Sequence, residues 1–216
     1  PGPTGTSGSG GVSAVPVSAG VPYRLAETGG PATYVQVGAW ACTNAAGTTV
    51  PVSAAGDVTL ERGATVTCRV TNATATLTLL KNVPEPRPGF QPSDWNLTAT
   101  PASLPGLTAV TRAGDDYRAE GNPASTVEVR PGHGYTLSET LAAVGSRTAY
   151  RQLRLEVRQP NGTWTPVSSP TITAPPAGQN ATYRFVNVPV QPTTLPLTGG
   201  TSADSYLIVG GSVLAI

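Results

Sequence analysis

Apolar and polar residues alternate in short runs along most of this 216-residue chain. Residues 65–67 (Thr-Val-Thr) and 76–79 (Thr-Leu-Thr-Leu) are typical of these runs, and clusters of proline and glycine separate one run from the next. A period of two places every second side chain on the same face of a β-strand. No segment shows a convincing amphipathic helix pattern. The pattern therefore predicts an all-β protein.

The clearest strand patterns lie in the second half of the chain. Strands are predicted at residues 76–82, 95–100, 125–129, 135–139, 151–159, 164–167 and 181–188. Asn161-Gly162 predicts a tight hairpin turn between two of them. Seven or so short strands separated by regular turns predict an immunoglobulin-like β-sandwich.

The chain contains an internal repeat. Residues 23–28 (YRLAET) match residues 135–140 (YTLSET), and residues 63–72 (GATVTCRVTN) match residues 178–187 (GQNATYRFVN). We therefore expect tandem copies of one β-sandwich domain. The second copy, residues 75–188, is expected to be whole, and the first, residues 12–74, to be incomplete at its N-terminus.

Composition and the two ends of the chain add to this picture. Net charge is +1, which does not favour capture of nucleic acid. Residues 1–11 are interpreted as a linker or loop remnant, and residues 189–194 (PVQPTT) as an extended linker. The chain begins without Met or a signal peptide and stops inside an apolar run, so we expect it to be a fragment of a longer protein.

A pentapeptide with the pattern L-P-x-T-G follows the second linker. It consists of Leu195, Pro196, Leu197, Thr198 and Gly199. The apolar run at residues 206–216 comes soon after it and is too short to span a bilayer as it stands, so we interpret residues 195–216 as this motif and a truncated apolar segment. The arrangement resembles the cell-wall sorting signal of Gram-positive surface proteins. The alternative is a chance pentapeptide before a buried strand.

The resemblance to a sorting signal implies a mode of attachment. A sortase would cleave between Thr198 and Gly199 and join the Thr198 carboxyl to an amine of peptidoglycan or to a lysine of a pilin. The protein would then be secreted and anchored to the cell wall, after being held transiently at the membrane by its C-terminal apolar segment.

Three residues stand out once the repeat is aligned. Lys81 is the only lysine in the chain and lies in the first strand of the whole copy, Glu139 lies in YTLSE, and Asn187 ends the last strand. Their order and surroundings resemble the prealbumin-like repeats of the Cna B-type family of Gram-positive adhesins and pilins. The resemblance implies an isopeptide bond between Lys81 and Asn187, formed with the help of Glu139. Glu27 and Asn72 match in the first copy, without a lysine.

The chemistry of such a bond is reasonable from first principles. Burial disfavours charge, so it lowers the pKa of a lysine and raises that of a carboxyl. A neutral Lys81 amine is a nucleophile, and a carboxyl group carrying a proton can polarise the amide of Asn187. Arginine could not replace Lys81, because its guanidinium stays protonated. The alternative is that Lys81 is a solvated surface residue, Glu139 a charge at a strand end and Asn187 a turn residue.

The two cysteines, Cys42 and Cys68, form the even number expected of an exported protein. In the second copy Tyr183 replaces Cys68, and the counterpart of Cys42 falls near Leu155 or Val157. Both cysteines are thus absent together from that copy, which favours a disulfide between neighbouring strands. The alternative is two buried free thiols, whereas a metal site would need further ligands.

The other candidate residues do not predict a bound cofactor, a metal site or enzymatic catalysis. His133 is the only histidine and lies in a turn, without the nucleophile motif of a serine hydrolase. Asp94, Asp115 and Asp116 lack the spacing of a calcium loop and are interpreted as turn residues. The three tryptophans could stack on a sugar, but we interpret them as core or half-buried strand residues; they are Trp40, Trp95 and Trp164.

These features favour a structural stalk of an adhesin or minor pilin over an enzyme. In the stalk hypothesis, domains upstream of this chain would bind a host or surface ligand. The alternative is an adhesive or carbohydrate-binding module, in which the Pro-rich loops at residues 84–93 and 104–116 bind the ligand.

Overall fold

A computed structural model of the chain describes residues 15–86, 88–118, 123–141 and 150–190. These residues form fourteen β-strands and two short 3-10 helices (Pro92–Asp94 and Pro123–Ser125) and no α-helix, so the predicted all-β fold is confirmed. The strands are β1 (Pro22–Arg24), β2 (Val35–Asn44), β3 (Thr49–Val50), β4 (Asp57–Thr59), β5 (Val66–Ala73), β6 (Ala75–Asn82), β7 (Trp95–Pro101), β8 (Val110–Ala113), β9 (Thr126–Val129), β10 (Gly134–Leu141), β11 (Tyr150–Arg158), β12 (Trp164–Pro166), β13 (Thr171–Thr173) and β14 (Asn180–Pro189).

Strands β6 to β14 form a two-layer sandwich. One sheet has the order β12-β11-β14-β6-β9 and the other the order β13-β10-β7-β8. The buried core between them draws on both sheets and includes Leu77, Leu79, Phe185, Leu97, Ala99 and Leu137. Alternation along each strand produces this packing, because every second residue faces the opposite sheet.

The first and last strands of the sandwich are neighbours. β6 and β14 pair in parallel, with Thr76 opposite Asn180 and Asn82 opposite Val186, whereas all other strand pairs that the structure describes are antiparallel. β6 is buried at six of its eight positions, as expected of a central strand.

Strands β1 to β5 pair in the same pattern as β10 to β14. β1 pairs with β4 as β10 pairs with β13, and β2 lies between β3 and β5 as β11 lies between β12 and β14. The β2–β5 ladder is interrupted between Val37 and Ala41, and the β11–β14 ladder between Gln152 and Arg154. The matching pairings agree with the internal repeat, and the two interruptions fall in equivalent strand pairs although they differ in length.

The seven predicted strands of the second copy all occur, with ends shifted by one or two residues. Two further strands were not predicted: β8, which lies within the segment interpreted as a loop at residues 104–116, and β13. The loop interpretation was wrong at β8, β13 was missed, and both have a physical reason. β8 is an exposed edge strand of four residues, and β13 has three residues between Pro170 and Pro175, so neither shows a long alternating pattern.

The two halves of the chain meet at a single residue. Thr74 separates β5 from β6, and its hydroxyl donates a hydrogen bond of 2.8 Å to the Val129 carbonyl. A guanidinium nitrogen of Arg130 donates to the carbonyls of Ala32 and Tyr34 at 2.7 and 3.0 Å. The joint is therefore held by polar contacts as well as by the chain. Within the described residues, no helix is long and apolar enough to cross a membrane.

Candidate functional site

Lys81 lies on the core-facing side of β6. Leu77 and Leu79 precede it at alternate positions, and its side chain is 0% exposed. Its backbone is also held, since its N–H donates to the Asp115 carbonyl at 2.7 Å and its carbonyl accepts from the Tyr117 N–H at 3.0 Å. The alternation of β6 thus places the only lysine of the chain in the interior, and the alternative that Lys81 is a solvated surface residue is excluded.

Glu139 reaches Lys81 from the opposite sheet. It follows Tyr135 and Leu137 on the inward face of β10, and its side chain is 8% exposed. The Lys81 ammonium donates a hydrogen bond to Oε2 of Glu139 and forms an ion pair with it. The Lys81 nitrogen also lies 4.5 Å from the centre of the Trp95 ring, so an aromatic wall closes one side of the pair.

Burial changes the acidity of the Lys81 amine. Loss of hydration lowers its pKa from 10.5 to about 8, and the Glu139 carboxylate only partly opposes this effect. Near neutral pH a larger share of this amine is therefore neutral than in an exposed lysine. The site holds a nucleophilic form of lysine at a pH where an exposed lysine is almost fully protonated.

Asn187 lies on the strand next to Lys81. β6 pairs Lys81 with Phe185, and Asn187 is two residues further along β14, on the same face as Phe185. Asn187 is 2% exposed, and its side-chain carbonyl is buried without a hydrogen-bond partner. A buried carbonyl without a donor is uncommon in folded proteins and requires an explanation.

The structure therefore buries all three predicted residues between the two sheets. Lys81 and Asn187 come from adjacent strands of one sheet, and Glu139 comes from the other. The arrangement contains a buried amine, a carboxylate bonded to it and an amide on the neighbouring strand. In the first half of the chain, Nδ2 of Asn72 donates to Oε2 of Glu27 at 2.6 Å, and both residues are exposed.

The predicted disulfide between neighbouring strands is confirmed. Cys42 on β2 lies directly opposite Cys68 on β5, and the two are bonded with their Cα atoms 4.0 Å apart. In the second half of the chain the same pair of positions holds Val157 and Tyr183. The structure thus selects Val157 over Leu155 as the counterpart of Cys42.

The remaining candidate residues have structural positions. Trp95 is 2% exposed in the core, Trp40 and Trp164 are half-buried strand residues, and His133 precedes β10 and bonds to the Ala102 carbonyl at 2.9 Å. Asp116, interpreted from sequence as a turn residue, instead pairs with Lys81 as a short β-bridge. No cluster of three or more potential metal ligands occurs in the described part of the chain.

Sequence reasoning missed the residues that cover Lys81 from outside. Gly114 and Asp115 come from the segment interpreted as a loop, Tyr117 follows just after it, and only the folded chain brings these residues to β6. A glycine followed by two aspartates is ordinary turn composition, so no local signal distinguishes this segment.

A small cleft lies beside this segment, where the first of the two proposed ligand-binding loops, residues 84–93, meets residues 116–118. It has a volume of about 130 Å³, and its lining includes Pro84, Pro92, Asp116, Tyr117 and Arg118. Small-molecule sites usually enclose about 300–1,000 Å³. The cleft is thus smaller than a typical small-molecule site.

The linker interpreted at residues 189–194 begins later than predicted, because Pro189 still pairs as the last residue of β14. The rest of that linker from residue 191, the sorting motif at residues 195–199 and the apolar run at residues 206–216 lie outside the described residues. The same is true of residues 1–14.

Comparison with known proteins identifies the fold family. The family model of the prealbumin-like fold domain matches residues 1–70 and residues 72–152, which together are more than half of the chain. No curated protein and no solved structure matches the chain.

Proposed function

Because the chain belongs to the family of prealbumin-like fold domains, we propose that it is a structural stalk segment of a sortase-anchored surface protein, of the adhesin or minor-pilin type. In this proposal the sandwich holds binding domains away from the cell, and Thr198 forms the covalent attachment to peptidoglycan. A disulfide and a Lys81–Asn187 isopeptide bond stabilise the stalk outside the cell.

The observation that carries the isopeptide proposal is that Lys81, Glu139 and Asn187 are all buried while one of their polar atoms, the side-chain carbonyl oxygen of Asn187, has no hydrogen-bond partner. Lysine is almost never fully buried unless it is paired, and a buried ion pair stabilises a fold only weakly. The pair with Glu139 leaves the Asn187 carbonyl unbonded nearby. Protein stability alone does not explain such an arrangement, whereas a reaction between the groups does.

The reaction balances without an external reagent. The neutral Lys81 amine attacks Cγ of Asn187, and Glu139 carries a proton from the amine nitrogen to Nδ2 of Asn187. The bond between Cγ and Nδ2 breaks, ammonia leaves, and a new amide joins Nζ of Lys81 to Cγ of Asn187. Each molecule reacts once, so this is self-modification and not enzymatic turnover.

Intact mass measurement of the purified 216-residue chain tests the bond. We expect the wild type to be lighter by one ammonia than its sequence mass, after the loss of hydrogen on disulfide formation is included. Lys81→Met and Glu139→Gln should both restore the full mass. Asn82→Ala is the matched control, because it alters an asparagine next to Lys81 and should keep the deficit.

Peptide mapping completes this experiment, because an asparagine that closes to a succinimide also loses ammonia. A branched peptide containing both Lys81 and Asn187 is the expected product. A wild type of full mass, or a deficit that maps elsewhere, would show that Lys81 is an unreactive buried residue.

Attachment through the sorting motif requires its own test. A purified sortase and an amine nucleophile should release everything after Thr198 and add the amine to the Thr198 carboxyl. Pro196→Ala should abolish this product, whereas Thr194→Ala, just outside the pentapeptide, should remain a substrate. Equal reaction of both variants would contradict the sorting signal.

A further inference from the structure

The five residues that follow β8, residues 114–118, run beside β6 at Lys81, where Asp116 pairs with Lys81 in a parallel bridge, and we call them the strap. β9 pairs with β6 only as far as Thr78, so the strap is the neighbour of β6 at the position of the lysine. It is bonded to both backbone groups of Lys81, through the Asp115 carbonyl and the Tyr117 N–H. The strap therefore occupies the place through which water would reach the amine from the sheet edge.

Gly114 fixes the first end of the strap. It is buried, and its N–H donates to the Trp95 carbonyl at 2.6 Å. A Cβ at this position would lie 2.4 Å from the Pro92 carbonyl oxygen and 3.2 Å from Cβ of Lys81. Only glycine fits this approach. The strap is thus bonded to the residue whose ring also contacts the Lys81 amine.

Tyr117 fixes the second end of the strap. Its ring lies 4.9 Å from the guanidinium of Arg184 on β14 and 4.6 Å from that of Arg118. Arg184 is itself immobilised, since it donates to the buried Glu156 carboxylate at 2.5 Å and stacks on Trp164 at 4.2 Å. The aromatic contact therefore fastens the strap to the strand that carries Asn187.

We propose that the strap seals the reaction site, so that Gly114 and Tyr117 are positioning residues for the isopeptide bond. This inference rests on the proposed crosslink and adds the condition that bond formation requires a closed strap. With the strap closed, the Lys81 amine stays dehydrated, opposite Glu139 and beside Asn187. With the strap open, water enters and the amine regains its hydration.

The single lysine of the chain allows a test that does not depend on the crosslink. In an Asn187→Ala background the amine is retained, and acylation by an N-hydroxysuccinimide ester, followed by peptide mapping, separates Lys81 from the N-terminal amine. A buried amine reacts only when the structure opens locally. Tyr117→Ala should raise the acylation rate of Lys81 about tenfold, as expected for loss of the cation–π contact between Tyr117 and Arg184.

Tyr117→Phe is the conservative control. It keeps the ring on Arg184 and should leave Lys81 as slow to react as in the parent. Gly114→Ala is a second, independent variant and should also accelerate labelling. In the otherwise wild-type chain, Tyr117→Ala and Gly114→Ala should slow the appearance of the ammonia deficit, and Tyr117→Phe should not.

The two proposals fail in distinguishable ways. If the wild-type chain shows no ammonia deficit, the crosslink proposal is wrong. The labelling rates would still show whether the strap shields the Lys81 amine from solvent. If Tyr117→Ala and Tyr117→Phe label Lys81 at the same rate, the strap proposal is overturned, whether or not the crosslink forms.

Discussion

At the scale of single residues, Lys81 combines full burial with a titratable amine. Its desolvation lowers the pKa to about 8, while Glu139, the charged side chain in contact with it, acts in the opposite direction. A methionine of similar length would fill the space without this cost. The cost becomes understandable if the amine is consumed in a bond, because the product amide carries no charge.

The unreacted site should make protein stability depend on pH. In an Asn187→Ala variant the folded state releases the lysine proton near pH 8, and the unfolded state holds it until about 10.5. The free energy of unfolding should therefore rise between these values, because the unfolded state binds more protons there. Below pH 8 both states are protonated, and the full penalty, of the order of 3 kcal/mol, remains.

Urea unfolding at pH 7.5 and pH 9.5 measures this effect. The matched control is the double variant Lys81→Met, Asn187→Ala, which lacks the titrating amine. An equal change of stability with pH in both proteins would show that Lys81 does not titrate in this window.

At the scale of strands, regular alternation of apolar and polar residues predicted the long strands, whereas the short edge strands were missed. β6, β10 and β14 each have at least eight residues and a clear apolar face, and all three were predicted. β8 and β13 are short and depend on a neighbouring strand for their form, so their own residues carried too little signal. Lys81, Glu139 and Asn187 were singled out from the sequence because the repeat marked their strands. Gly114 and Tyr117 could not be found, because contacts far apart in sequence define their role.

The disulfide should stabilise strands β2 and β5 selectively. It closes a loop with a sequence separation of 26, for which a stabilisation of about 3 kcal/mol is expected. Hydrogen exchange read by mass spectrometry, with and without a reducing agent, should show faster exchange in β2 and β5 after reduction and little change in β6 and β14. The double variant Cys42→Ala, Cys68→Ala should exchange at the faster rate under both conditions. Uniform acceleration across all four strands would contradict a local effect.

At the scale of the whole molecule, the two halves of the chain are joined with little freedom. Thr74 is the only residue between β5 and β6, and Arg130 binds two carbonyls of the segment that precedes β2. Gly106 also approaches this segment, since a Cβ there would lie 3.0 Å from Cβ of Ala32. A direct joint of this kind suits a stalk better than a flexible linker would.

Removal of the Arg130 contacts should loosen this joint. Arg130→Ala loses two hydrogen bonds from a charged donor, a change of the order of 1–3 kcal/mol. Small-angle scattering should then show a broader distribution of interatomic distances at large separations. Arg112→Ala is the control, because that exposed guanidinium bonds only to the carbonyl of its neighbour Thr111 among the contacts described. Identical scattering from both variants would mean that Arg130 does not restrict the joint.

The parallel pairing of β6 and β14 determines how the sandwich would carry tension. The chain enters β6 at Ala75, beside Asn180, and leaves β14 at Pro189, beyond the pair formed by Asn82 and Val186. Force applied at these two points pulls the neighbouring strands in opposite directions along their length. The hydrogen bonds between them are then loaded in shear, all together, and not opened one after another as in a zipper. A bond from Lys81 to Asn187 would pass the load directly between these strands, and the chain from β7 to β13 would lie outside the path of the force.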